Sequence, residues 1–140
     1  MKKEIHNNLI IENLIRTEYF KQLDRDEKQE IVINSEWFNQ FNRNQQYEIL
    51  EGLKNNVDVS MYANPEFNWG QMQEIRLGLK ANIDVSIYAK PELNEYQMNE
   101  IKRGLKDNLD ISVYAKTDFD EEQMHEIRLK LLQEKNFIKK

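Results

Sequence analysis

Gln71-Met72-Gln73-Glu74-Ile75 returns as Gln97-Met98-Asn99-Glu100-Ile101 and again as Gln123-Met124-His125-Glu126-Ile127. The starts, at 71, 97 and 123, are 26 residues apart. One interval earlier, Gln45-Gln46-Tyr47-Glu48-Ile49 matches more loosely. A second block keeps the same interval: Asp58-Val59-Ser60-Met61-Tyr62-Ala63, Asp84-Val85-Ser86-Ile87-Tyr88-Ala89 and Asp110-Ile111-Ser112-Val113-Tyr114-Ala115. Two separated blocks that agree in order and spacing define a repeat, and a period of this size means stacked supersecondary units.

Each unit opens with a helix start. In Phe67-Asn68-Trp69-Gly70-Gln71-Met72, Asn68 is placed to cap the free N–H groups. Gln71, three residues on, can reach back to it, and Phe67 and Met72 stand where a hydrophobic staple would. The same set recurs as Leu93, Asn94, Gln97 and Met98, and as Phe119, Asp120, Gln123 and Met124. Met72, Ile75 and Leu79 then form one apolar helical stripe. The second block reads two ways. Val85 and Ile87 alternate as in a short strand, whereas the Asp84 cap and the shared face of Val85, Tyr88 and Ala89 favour one or two helical turns. Pro91 disfavours helix at Lys90, so the block should end there. Gly52, Gly78 and Gly104 fall inside the long helix, where each costs ~1 kcal/mol relative to Ala. That repeated cost predicts close approach by an adjacent unit, and Lys130 replaces Gly in the last copy.

The expected fold is all-α: a short helical-repeat solenoid, a long helix plus a short helix per unit, with an N-terminal capping helix. The chain is one domain of 140 residues. Residues 1–22, with apolar Ile5, Leu9, Leu14 and Ile15 leading to Leu23, form the capping helix, and 23–40 a truncated repeat. The full units are 41–66, 67–92, 93–118 and 119–140, with Lys139-Lys140 marking a C-terminal cap. In the truncated copy Leu23-Asp24-Arg25-Asp26-Glu27 opens a helix and Ser35-Glu36-Trp37-Phe38 stands for Ser60-Met61-Tyr62-Ala63.

Composition supports this class. Four Gly and two Pro are too few for a many-turned β architecture, and the absence of Cys excludes a disulfide scaffold, a thiolate metal site and a cysteine nucleophile. The net charge of −5 offers no basic footprint for nucleic acid. No apolar run is long enough for a membrane span, and Glu4 and His6 stand where a signal peptide would be apolar, so a cytoplasmic protein is expected.

Glu74-Ile75-Arg76-Leu77-Gly78-Leu79-Lys80, followed by the Asp84–Ala89 block, resembles a short repeat of phage and conjugative-element proteins from Gram-positive bacteria. The resemblance covers roughly residues 38–132. It implies a mobile-element origin and a role in handling host proteins, and it implies no catalytic residue. By analogy of scale, a chain made almost wholly of such repeats is similar to phage-encoded inhibitors of host defence, including anti-CRISPR proteins.

Searched for chemistry, the chain yields little. His6 and His125 lie far apart, and His125 fills a polar slot held by Gln73 and Asn99 in the other copies. With so few His and no Cys, no transition-metal site and no cofactor are expected. Asp24–Glu27 lacks the glycine of a calcium loop and reads better as a helix cap. The Asp58, Asp84, Asp110 row reads as caps of the short blocks, with a cation- or basic-partner row as the alternative. Tyr62, Tyr88 and Tyr114 read as core rather than as a base-stacking ladder. The acidic excess sits mostly in residues 1–66 and is too slight to make nucleic-acid mimicry the first choice.

Slots that vary between otherwise similar units are the natural binding surface of a repeat protein. They are Trp69, Glu95 and Glu121; Gln73, Asn99 and His125; and Leu77, Arg103 and Leu129. Trp69, Gln73, Leu77, Asn99, Arg103 and His125 are the candidate protein-binding residues. Trp69 reads either as a hot spot or as a side chain folded over the next unit. The function expected is non-enzymatic binding of a host protein, such as a defence nuclease or its effector complex, with a self-associating or bridging adaptor as the alternative. No membrane contact is expected.

Overall fold

The computed structural model describes residues 10–139. Ile5, Leu9 and Lys140 lie outside these residues. Over the described part the protein is all-α, with no strand. Helix α1 covers residues 10–14 and is followed by α2 (Glu18–Gln22), α3 (Arg25–Ile33), α4 (Arg43–Lys54), α5 (Trp69–Lys80), α6 (Glu95–Lys106) and α7 (Glu121–Lys139). Short 3-10 turns occupy Glu36–Gln40, Val59–Met61, Val85–Ile87 and Ile111–Val113. From α3 to α7 each long helix packs on the next in sequence, and the three-residue turns pack on the helix before them.

Each helix starts as its sequence dictates. Asn68 Oδ1 accepts from Gln71 N at 2.8 Å while Gln71 Oε1 accepts from Asn68 N at 2.9 Å. Asn42 with Gln45, Asn94 with Gln97 and Asp120 with Gln123 repeat the reciprocal pair. The ends are equally regular. Asn56, Asn82 and Asn108 adopt the left-handed conformation at φ 57°, 60° and 56°. The following N–H groups of Val57, Ile83 and Leu109 bond Gly52 O, Gly78 O and Gly104 O, closing each helix as a Schellman motif.

The second block is a single 3-10 turn, neither strand nor α-helix. Asp58 Oδ1 accepts from Ser60 N and from Ser60 Oγ, and Asp84 and Asp110 do the same for Ser86 and Ser112. Proline is not what ends the block. The unit with Thr117 in place of proline makes the same Lys116 N to Tyr114 O bond at 2.7 Å that Lys90 N makes to Tyr88 O before Pro91.

The glycines meet a different neighbour from the one expected. A Cβ on Gly78 would land on the Tyr88 hydroxyl and lie 2.7 Å from Val85 Cγ1, both in the same unit rather than the adjacent one. Gly52 with Tyr62 and Gly104 with Tyr114 are alike. The three tyrosines are fully buried, and their hydroxyls donate to Glu48 O, Glu74 O and Glu100 O at 2.6–2.7 Å. Burial pushes all three phenols well above their ordinary pKa. In the last unit Lys130 and Glu134 stand at the Gly and Asn positions, so the turn is lost and α7 runs on to Lys139.

Residues 1–22 do not form one helix. The chain turns at residues 15–17, where Thr17 Oγ1 donates to Leu14 O, closing α1, and accepts from Phe20 N, opening α2. Residues 23–40 form the nine-residue helix α3 and a five-residue 3-10 turn, against twelve and three residues in the unit that follows. Asp24 caps α3 through Glu27 N at 2.9 Å, a bond that holds its carboxyl below the usual carboxylate range. Trp37, in the place of Tyr62, is 2% exposed.

Candidate functional site

The full units, from α4 to α7, are joined by polar contacts that recur at each of their three junctions. The Gln of each capping box spends its amide on the next unit: Gln45, Gln71 and Gln97 donate Nε2 to Phe67 O, Leu93 O and Phe119 O at 2.6–2.7 Å. Below them runs a ladder of ion pairs. Glu48 holds Arg76 at 2.7 Å, Glu74 holds Lys102 at 2.6 Å and Glu100 holds Arg128 at 2.6 Å. Arg76, Lys102 and Arg128 are all buried, and each pair must be satisfied as a unit because a lone charge there is expensive. Neither the ladder nor the amide links were among the sequence candidates. Their only sequence signal is the shared 26-residue recurrence of Glu and of Arg or Lys.

Alongside the ladder lies an open groove of about 700 Å³ across the first turns of α5, α6 and α7. Trp69, Gly70, Gln73 and Glu74 line it from α5; Glu95, Tyr96, Asn99 and Glu100 from α6; Glu121, Glu122, His125 and Glu126 from α7. These are equivalent positions on three successive helices. Trp69 is 50% exposed and Tyr96 61%, so Trp69 is neither core nor folded out of sight. Gly70 makes room for the Glu95 side chain: a Cβ there would come within 2.6 Å of Glu95 Oε2.

The groove is acidic. Glu74 and Glu100 are neutralised by the ladder, but among the described residues Glu95, Glu121, Glu122 and Glu126 have no cation within 4.0 Å. Asn99 Nδ2 donates to Glu74 at 3.3 Å and His125 Nδ1 lies 3.0 Å from Glu100 Oε1. His125 with Glu100 is the nearest approach to an acid–base pair, yet the lining contains no Ser, Thr or Cys for it to activate. No group of three or more His, Asp or Glu among the described residues is placed to hold a metal ion.

Of the candidate binding residues, Trp69, Gln73, Asn99 and His125 come together in the groove, with Glu95 and Glu121 beside them. Leu77 and Arg103 do not. Arg103 lies on a separate depression shared with Leu129 and one edge of His125, and Leu77 is half-buried further along α5. Tyr96 and Glu126 belong to the groove and were missed: the slot of Gly70, Tyr96 and Glu122 varies between units and meets the same criterion as the others, whereas Glu126 looks invariant. The Asp58, Asp84 and Asp110 carboxylates are engaged as turn caps. No described helix is long and apolar enough to cross a membrane. A scan of protein-family models, a search of curated proteins and a search of solved structures each returned no match for this chain.

Proposed function

We propose that the chain is a non-enzymatic repeat protein, a helical solenoid, that acts by binding another protein through the α5–α7 groove. The observation that carries this reading is the groove itself. Two large aromatics stand half or more exposed beside carboxylates without cations, at positions that vary between units whose cores are alike. Exposed aromatics flanked by polar groups are the usual anchors of protein interfaces. The acidic lining opposes phosphate, which disfavours direct nucleic-acid contact. The repeat resemblance suggests the setting: a phage or mobile-element protein, cytoplasmic in a bacterial host, that inhibits a defence system of the anti-CRISPR or anti-restriction kind by direct binding, with no cofactor. The alternative is a self-associating or bridging adaptor, favoured by Phe137 and Ile138, which are 81% and 82% exposed at the end of α7.

The test is capture from host lysate on the tagged chain, read by mass spectrometry, with sedimentation of the purified chain alongside. An inhibitor retains one defence protein stoichiometrically and sediments as a monomer. An adaptor self-associates or retains two proteins that do not bind each other.

A further inference from the structure

The three junctions between the full units, α4 to α5, α5 to α6 and α6 to α7, use the same pair of links: a glutamine amide to a carbonyl ahead of the next helix, and a glutamate to a cation within it. The spacing between the two partners is fixed. Phe67 to Arg76, Leu93 to Lys102 and Phe119 to Arg128 are each nine residues. The cation thus follows the N-cap by eight residues and lies two turns into the helix.

On α7 the equivalent groups are Gln123 and Glu126, and both links are open. Gln123 Oε1 accepts from Asp120 N, but among the described residues its amide meets no carbonyl. Among the described residues Glu126 meets no cation, and it lines the groove with Glu121 and Glu122. The three internal junctions therefore specify, in this chain's own chemistry, what fits the open one.

We infer that the bound protein supplies the missing half of this junction. A helix of the partner sets a carbonyl of its lead-in on Gln123 Nε2 and an Arg or Lys, nine residues further on, against Glu126. This rests on the groove reading above and names the chemistry of what binds at its α7 edge, where Glu126 lines the groove and Gln123 stands beside it: a protein segment carrying a basic residue at the eighth position after a helix N-cap. Charge complementarity selects it, since the surrounding carboxylates attract a basic segment and repel an acidic one. A second copy of this chain fits poorly. α3 and α4, nearest its other end, carry Val32 and Leu50 where the internal helices carry Arg76, Lys102 and Arg128, whose charges are already engaged.

The experiment is a fluorescence-anisotropy titration of the full chain into a labelled synthetic peptide of residues 90–109, which carries the Leu93 carbonyl and Lys102 in the required register. Saturable binding is expected, at least tenfold weaker for the peptide with Lys102→Glu and for the chain with Glu126→Gln. The chain with Glu126→Lys should recover binding of the Lys102→Glu peptide. Glu126 is exposed, and circular dichroism checks that these variants stay folded. Absence of saturable binding, or equal binding of the charge-reversed peptide, overturns the inference. So does a dimer of the chain alone that Glu126→Gln dissolves, since a second copy would then fill the site. With the lysate partner, loss of capture in Trp69→Ala/Tyr96→Ala but not in Glu126→Gln overturns this inference and leaves the groove as the binding face. Loss in neither overturns both.

Discussion

Gly78→Ala separates helix propensity from packing. In an exposed helix interior the change should stabilise by ~1 kcal/mol, because Ala restricts the unfolded backbone and loses less entropy. Here the added methyl lands on the Tyr88 hydroxyl and 2.7 Å from Val85 Cγ1, in a unit where Tyr88 and Val85 are 0% and 1% exposed and have nowhere to retreat. Overpacking of this kind costs about 1–3 kcal/mol. Displacing Tyr88 also breaks its 2.7 Å bond to Glu74 O, for a further ~1 kcal/mol. The propensity gain cancels roughly the hydrogen-bond loss, so the net destabilisation should be about 1–3 kcal/mol. Urea unfolding followed by circular dichroism measures it. In the background of Tyr88→Leu, which clears the hydroxyl and ring, Gly78→Ala should cost less, and the coupling of the double-mutant cycle should be of the order of 1 kcal/mol. If Gly78→Ala raised stability by the full propensity gain, the tyrosine would not sit against the glycine, and the recurring Gly–Tyr contact would be wrong.

Asn94→Ala removes one cap bond and should cost ~1 kcal/mol, while Tyr88→Ala should cost several-fold more through lost core packing, both read by thermal unfolding. Arg76→Ala leaves Glu48 buried and unpaired and should cost about 3–5 kcal/mol, whereas Arg76→Met with Glu48→Gln should cost far less. Raising the pH past ~10 should unfold the protein. Burial holds the phenols of Tyr62, Tyr88 and Tyr114 above their unfolded pKa, so their stabilising effect is complete below that pH and is lost as pH rises, by up to ~1.4 kcal/mol per unit for each tyrosine. A stability curve flat from pH 9 to 12 would show that the hydroxyls are not buried.

Much of the fold was legible because its determinants are local. The capping pairs such as Asn68 with Gln71 act within three residues, and their recurrence multiplied a weak signal. The recurring glycines announced a close contact, but the adjacent unit was the wrong neighbour, since Gly78 meets Tyr88 of its own unit after the chain has turned at Asn82. That left-handed Asn recurs at 56, 82 and 108 and is replaced by Glu134 in the last unit, a regularity present in the sequence whose meaning shows only once its conformation is known. The break at Thr17 was masked by apolar residues that keep helical spacing across it. The ladder was hidden for a different reason. Glu48 and Arg76 lie 28 residues apart, and pairing them requires knowing which faces of α4 and α5 meet. Arg103 occupies a variable slot too, but it lines a neighbouring depression, with its guanidinium 4.0 Å from Glu100 Oε1, rather than the groove that gathers Trp69, Asn99 and His125.

The most direct measurement compares partner capture by the native chain and by Trp69→Ala/Tyr96→Ala. Both aromatics are at least half exposed, so the pair should change stability little, and the melting temperature should move by only a few degrees. Loss of interface aromatics commonly costs ~2 kcal/mol or more, which is over tenfold in affinity. A stoichiometric partner from bacterial lysate, retained by the native chain and reduced at least tenfold on the folded double variant, is the outcome expected of a groove that binds protein. Equal retention by both chains would contradict it and move the contact to another face of the array.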